Sequence, residues 1–175
     1  MKKPQALREY LLNALPDLST DQDRLLIFTE NGNLRSTMVG GYSFEMEYTL
    51  DMTITDYAGD VDLLGFVLFT WIATNQSELM ANHEKGKQAI TFEAELIDNT
   101  KYDLNIKIPL SERVIAKRNA EGKYDLSYPG EPQYTEFGPP TEFTVMDPTG
   151  TELASWTTIK KEGWALDMPP TGKNP

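Results

Sequence analysis

Catalytic and metal-ligating groups other than carboxylates are scarce in this 175-residue chain, which has 27 Asp and Glu residues, one histidine and no cysteine. The histidine, His83, stands in a polar stretch, and a Ser-His-Asp or Cys-His mechanism would have to use it. No serine lies in a Gly-x-Ser-x-Gly elbow, and zinc would need several His or Cys ligands. The sequence therefore predicts that His83 is an ordinary loop residue and that the protein holds no zinc.

The carboxylates give no sharper indication of catalysis. Asp56, Asp60 and Asp62 are the best cluster for calcium or magnesium, but they lack EF-hand spacing, and helix capping already explains Asp60 and Asp62. The dipeptide Gly86-Lys87 lacks the upstream glycine and the following Ser or Thr of a phosphate loop. With so many acidic residues, many pairs of carboxylates could be chosen as a glycosidase-like pair, so finding such a pair is not evidence for glycoside hydrolysis. We predict a protein that is not an enzyme and has no metal and no cofactor.

The charge of the chain restricts its partners. A net charge of −11 disfavours tight binding of nucleic acid or of anionic membranes, both of which need clustered Lys and Arg. The lack of cysteine suits a reducing compartment, and the start of the chain has no apolar signal segment. The longest apolar run, Leu63–Ala73, is too short to span a bilayer. We expect a soluble, cytosolic protein.

The clearest secondary-structure signal in the sequence is a long alternating strand. Residues Ser43–Thr55 place apolar side chains on one face and acidic or hydroxyl side chains on the other, as a strand with one buried face does. At ~3.3 Å per residue the strand would run ~43 Å, which is long for a small domain. We therefore expect it to bend sharply or to reach toward another subunit.

Two helices are predicted beside it. The first begins near Pro4, repeats leucines at helical spacing and stops at Pro16. The second runs from the N-cap Asp60 to Asn75, and its broad apolar face should pack on a sheet.

Turn signals divide the remaining strands. Asn31-Gly32 predicts a tight hairpin between Arg24–Thr29 and Leu34–Val39. Three further hairpins are expected, with these strand pairs: Ile90–Leu96 with Tyr102–Ile108, Val114–Arg118 with Tyr124–Tyr128, and Glu142–Met146 with Glu152–Thr157. The class is α+β, a mixed and largely antiparallel sheet with a long hairpin strand, packed by an N-terminal helix and a central apolar helix.

Two charged groups are candidates for assembly rather than catalysis. The acidic face of the predicted strands carries Glu45, Glu47, Asp51, Glu93 and Glu95. A local basic group consists of Arg113, Lys117, Arg118 and Lys123, which either balances nearby acids or forms the complementary half of a contact between like subunits.

Several segments resemble a known family, the tail completion protein R of temperate contractile-tailed phages. The resemblance runs from the first helix to about Lys117, and four segments carry it: Asp23–Leu34, Ser43–Asp62, Phe69–Asn82 and Ile90–Lys117. It implies a tail terminator-like, non-enzymatic structural protein of the virion tail. Such a protein would cap the tail tube as a ring, a hexamer by family analogy, ending polymerisation and forming the surface for head-tail joining.

The resemblance also implies partners: the tail tube protein, with sheath and head-connector proteins as further candidates, while DNA passes through without tight binding and no membrane is involved. The division of the chain follows from it and from the turn signals. Residues 1–128 form the terminator-like domain, 129–141 a Pro/Gly-rich arm, 142–168 a β-hairpin extension and 169–175 a disordered tail. In the ring, the acids and Arg113, Lys117 and Arg118 would face a lumen or a subunit interface.

Two alternatives remain open at the level of sequence. One is a monomeric small-ligand-binding module whose alternating strands wall an enclosed apolar cavity. The other is an acid-base hydrolase, for which nothing in the sequence indicates a substrate.

Overall fold

The structure is a computed structural model, and it describes residues 1–36, 41–81, 90–98, 100–131 and 142–158. Helices cover one face of an antiparallel sheet, so the predicted α+β class is confirmed. The predictions for His83 and for residues 169–175 lie outside the described residues, as does most of the Pro/Gly-rich stretch.

The two main helices begin and end where their sequence signals lie. Helix α1 covers Lys3–Ala14, and the short α2, Pro16–Thr20, starts at the proline that stops α1. A 3₁₀ turn follows at Gln22–Arg24. Helix α3 covers Val61–Asn75, and the Asp60 carboxylate accepts hydrogen bonds from the Asp62 and Leu63 amides at 2.7 and 3.2 Å. Helix α4, Glu78–Ala81, is a single turn. None of the helices in the described residues combines the length and the apolarity needed to cross a bilayer.

Seven strands are described, in a five-stranded sheet and a separate hairpin. The main sheet has the order β1-β2-β4-β3, with β5 added at the far end of β4, and all its pairings are antiparallel. The hairpin is β6 with β7. The strand bounds are β1 Leu25–Arg35, β2 Phe44–Tyr57, β3 Thr91–Leu96, β4 Tyr102–Arg118, β5 Tyr124–Ser127, β6 Glu142–Met146 and β7 Glu152–Thr157.

The core lies between the sheet and helices α1 to α3. Alternate residues of β2 are buried from Tyr48 to Ile54, as its sequence pattern predicts. They share one cluster with Leu7 and Leu11 of α1 and with Val67 and Trp71 of α3. A sheet with one buried and one exposed face is the usual solution for an antiparallel sheet covered by helices on one side.

The prediction of a hairpin at Asn31-Gly32 is wrong. Strand β1 continues through this dipeptide and stays paired with β2 on both sides of it. Glu30 pairs with Thr49 and Asn33 with Glu47, so β1 contains one extra residue and forms a β-bulge. Asn31 has a φ of 54°, so the left-handed conformation that asparagine tolerates serves a bulge here instead of a turn.

The two strands predicted on either side of Pro109 are one strand. Strand β4 has 17 residues and joins the hairpin with β3 to the hairpin with β5. Pro109 pairs with Thr49 of β2, whereas β3 begins opposite Lys107, so within the described residues no third strand needs the amide hydrogen that proline lacks.

The β6–β7 hairpin forms at the predicted residues and packs on the helices. Trp156 stacks on Phe143 with ring centroids 5.4 Å apart, and both rings meet Phe66 of α3 edge-on. The Trp156 indole N–H donates to the Tyr10 hydroxyl of α1 at 2.8 Å. This hairpin therefore extends the core beyond the main sheet.

Candidate assembly surface

The sheet has an outer face, which is the side turned away from the helices. All five acids singled out in the sequence belong to it, because Glu45, Glu47 and Asp51 alternate with the buried residues of β2 and the strand register brings Glu93 and Glu95 of β3 to the same side. The structure thus brings together residues that lie 50 positions apart in the chain.

One lysine organises the middle of this face. The Lys107 ammonium lies 2.9 Å from a Glu30 oxygen and 3.0 Å from an Asp51 oxygen. Asn105 donates to Asp51 at 2.6 Å and to the Thr53 hydroxyl at 3.1 Å. The hydrogen bonds to Glu30 and Asp51 raise the pKa of Lys107, and the hydrogen bond from Lys107 lowers the pKa of Asp51. Asp51 is therefore a structural residue that ties β2 to β4 as well as an acid of the face.

Asp51 should make the stability of the fold depend on acid. Because its pKa is lower in the folded chain, its stabilisation is present above the pKa of an unfolded aspartate, about 3.9, and is lost as the pH falls through the folded value. We expect Asp51→Asn to lower the urea midpoint at pH 7 and to differ progressively less from the wild type as the pH approaches 2.

The matched control for this titration is Glu47→Gln. Glu47 is an exposed carboxylate of the same strand and makes no hydrogen bond or ion pair within the described residues. Its removal should leave the midpoint unchanged at both pH values. A gap between Asp51→Asn and the wild type that persists undiminished at pH 2 would contradict the assignment.

The end of the outer face near Phe44 carries both signs of charge. Glu45 pairs with Arg35 of β1 at 2.9 Å and faces Arg113 of β4 across the strand register. Farther along β4, Lys117 and Arg118 are exposed opposite Asp125 and Tyr124. By strand alternation Lys117 shares the side of Arg113, whereas Arg118 points to the other side. The predicted basic group is therefore split over two faces of the strand.

Both edges of the main sheet are open within the described residues, since no strand pairs with the outer side of β1 or of β3. Every residue of β3 is exposed, and Glu93 and Glu95 make no hydrogen bond or ion pair there. On β1, Leu26 and Phe28 are exposed although they are large and apolar. Unpaired edges of this kind are where another chain can add a strand.

A buried polar network anchors the N-terminus behind the sheet, and no pattern in the sequence indicates it. The Glu112 carboxylate of β4 is buried and accepts hydrogen bonds from the Lys2 and Lys3 amides at 2.7 and 3.2 Å and from the Tyr48 hydroxyl. Burial, followed by this hydrogen bond, raises the pKa of Tyr48. An anion at the start of α1 is favoured by the helix dipole and by the free amides there.

Gln76 extends this network to the part of β4 that lies beyond its pairing with β3. Its side-chain oxygen accepts from the Ser111 amide at 3.1 Å and from the Lys3 ammonium at 2.6 Å. Lys3 also pairs with Glu131 at 2.7 Å, although burial lowers the pKa of Lys3. The residue after α3 thus satisfies a backbone amide that no neighbouring strand reaches.

The acids considered for a metal have structural contacts instead. Asp60 caps α3, and Asp56 lies 3.6 Å from Lys101. In the described part of the chain, no group of three or more His, Cys, Asp or Glu side chains is arranged to hold a metal ion.

Comparison with known proteins identifies the family. The model of a family described as the P2 phage tail completion protein R matches residues 1–132, which include the whole main sheet and helices α1 to α4. The chain belongs to this family. The tail completion protein R of Escherichia phage P2 is 38% identical over 115 residues, which is 66% of this chain and 74% of that protein. No solved structure matches the chain.

Membership of the R family gives the chain a structural role in a phage tail and confirms the resemblance noted in the sequence. The β6–β7 hairpin and the residues after it lie outside the part that the family model matches.

Proposed function

We propose that this R-family protein forms a ring on the end of the phage tail tube, stops tube growth and presents the surface to which the head connector docks. Its partners are other copies of itself, the tail tube protein and, on the outside and top of the ring, sheath and connector proteins. It acts in the host cytoplasm during assembly and stays in the virion tail. The observation that carries the proposal is a sheet with two different open edges in a chain of this family.

The two edges support a ring because a contact between unlike surfaces repeats around an axis and can close on itself. Strands β1, β2, β4 and β3 alternate in direction, so β1 and β3 run in opposite directions. A neighbouring β1 placed beside β3 in the same orientation would therefore make an antiparallel pair. Leu26 and Phe28 lie on the outer face of β1, opposite Thr53 and Asp51, and would be partly covered by side chains of the neighbouring β3 in this joint. We infer six subunits from family analogy.

The charge of the outer face supports its assignment to the lumen. Glu45, Glu47, Asp51, Glu93 and Glu95 lie on this one side of the sheet, and like charge keeps DNA phosphates from adhering while the genome passes. At the joints, Arg113 and Lys117 from one end of β4 would steer toward acids of the next subunit, whereas Arg118 would face away from the lumen.

The proposal is tested by mass measurement with and without tubes. Native mass spectrometry or light scattering should detect a closed oligomer, alone or after addition of purified tail tubes, and electron microscopy should find the protein at one end of each tube. If the protein is strictly monomeric and does not bind tail tubes, the proposal is refuted and the ligand-binding alternative is favoured.

A further inference from the structure

Strand β3 is an open edge of the main sheet that carries apolar side chains. All six of its residues are exposed, and within the described residues no strand lies on its outer side. Phe92 and Leu96 are 67% and 58% exposed although both are large and apolar. An edge strand of this kind is a template on which another chain can add a strand. The first chain that a free subunit meets in quantity is another copy of itself.

One side of β3 favours such an addition. Phe92 pairs with Ile106 of β4, whose side chain belongs to the core. By strand alternation, Phe92, Ala94 and Leu96 therefore lie on the side of the sheet that faces the helices. An apolar groove of about 390 Å³ between α3 and β3 continues this apolar side. Any added strand that has an apolar side of its own would bury part of this surface.

The other side of β3 carries two carboxylates. Glu93 and Glu95 are exposed there, and neither makes a hydrogen bond or an ion pair within the described residues. They are therefore not needed to hold the single chain together. Their effect falls on the strand that is placed beside β3.

A second copy of β3 is the strand that these carboxylates oppose. Two like strands related by a twofold axis pair in antiparallel directions, with residues of one side opposite residues of the same side. The register centred on Ala94 sets Phe92 opposite Leu96 of the second copy, so it matches the apolar sides best. The same register sets Glu93 opposite Glu95 at two positions, and moving the centre by one residue sets one of these acids opposite itself. Like charges directly opposite each other destabilise a strand pair.

Strand β1 does not meet this conflict. Its only acid is Glu30. In an antiparallel register with Leu26 opposite Glu95, the residue opposite the acid of β1 is the uncharged Thr91. The two carboxylates of β3 therefore discriminate between two strands that both have an apolar side, a second β3 and a β1.

We propose that Glu93 and Glu95 prevent two copies of this chain from pairing through their β3 strands, and thereby keep this edge available to a different strand. The repulsion acts between free subunits. The proposal does not depend on ring formation, because it holds whichever strand is finally added to β3.

Cross-linking at Ala94 measures this pairing directly, since the natural chain has no cysteine and one introduced thiol is unique. In full-length Ala94→Cys, the exposed thiol lies at the centre of the most favourable register, where a short bis-maleimide would join two copies into a dimer. Adding Glu93→Gln/Glu95→Gln should raise the rate of dimer formation about tenfold, because two opposed pairs of like charges are removed. Each rate is normalised to the reaction of the same thiol with N-ethylmaleimide, and circular dichroism checks the fold.

The matched control removes two charges beside an exposed thiol elsewhere. Met146→Cys of β6 is compared with and without Glu142→Gln/Glu152→Gln, where Glu152 is the cross-strand partner of position 146. This pair reports how much a general loss of negative charge promotes collisions. Its normalised rate should stay nearly unchanged.

Salt provides an independent readout. At about 1 M NaCl charges are screened beyond about 3 Å, so the cross-linking rate of Ala94→Cys should rise toward that of the variant with Glu93→Gln/Glu95→Gln. The rate of the latter variant should change little. Equal rates for the two Ala94→Cys proteins at low salt would overturn the proposal. An equal rise in the Met146→Cys pair, or a salt response that persists without the two carboxylates, would overturn it too.

Discussion

Replacing Glu112 by leucine should lower the free energy of unfolding by roughly 2–4 kcal/mol. The carboxylate is buried and is the shared acceptor for the Lys2 amide, the Lys3 amide and the Tyr48 hydroxyl. Leucine leaves all three donors without this acceptor, and it also removes the anion at the start of α1. Urea unfolding at pH 7, followed by circular dichroism, measures the loss.

Two milder variants separate the contributions of Glu112. Glu112→Gln keeps a hydrogen-bond acceptor and should lose clearly less than Glu112→Leu. Tyr48→Phe removes a single hydroxyl and should cost about 1 kcal/mol. If Glu112→Leu costs less than about 1 kcal/mol, the carboxylate does not anchor the N-terminus.

Placing lysines at Leu26 and Phe28 should abolish ring assembly without unfolding the subunit. Both side chains are exposed in the single chain, so the change should alter its stability by no more than about 0.5 kcal/mol. Each side chain is already about half buried in the single chain, so covering the rest in the proposed joint would gain about half of the roughly 1.5–3 kcal/mol of full burial, and the lysine loses this gain. A charge on an edge strand also opposes further pairing. The combined loss of the two side chains corresponds to roughly 10- to 100-fold weaker association at each joint.

Light scattering and the fraction of normally terminated tails in infected cells measure this effect. The control is Met146→Lys on β6, which introduces one lysine instead of two, at a side chain of similar exposure, 52% against 43% and 59%, away from both open edges of the main sheet. Normal rings from Leu26→Lys/Phe28→Lys would exclude β1 from the subunit joint.

The sequence predicted those elements whose signals are local. Helix α3 follows from the cap at Asp60 and an apolar face, and β2 follows from strict alternation. The β6–β7 hairpin follows from the turn at Asp147, where Gly150 takes the left-handed conformation that the turn needs. The face of the sheet on which the acidic residues lie was also predictable, because successive side chains of a strand alternate between its two faces.

The errors arose where one local signal has two outcomes. Asn31 allows a positive φ in a bulge as well as in a hairpin, and only pairing with β2 on both sides decides between them. Pro109 interrupts a pattern of strand residues, yet it is tolerated because the pairing of β4 with β3 does not reach beyond Lys107.

Contacts between residues far apart in the chain could not be predicted from the sequence. The contacts of Glu112 with Lys2 and Lys3 join positions about 110 apart, and Trp156 reaches Tyr10 across 146. Glu112 looks like one more acid of an acidic chain, and its burial depends on a fold that no single sequence pattern encodes.

Imaging of tail tubes bound to this protein, at a resolution that separates strands, would show whether the protein forms a ring with the acidic face of the sheet toward its lumen. We expect a closed ring at one end of the tube, with β1 of each subunit beside β3 of the next and with Glu45, Glu47, Asp51, Glu93 and Glu95 lining the channel. A ring that places these five residues on its outer wall, or tubes that end without the protein, would contradict this expectation.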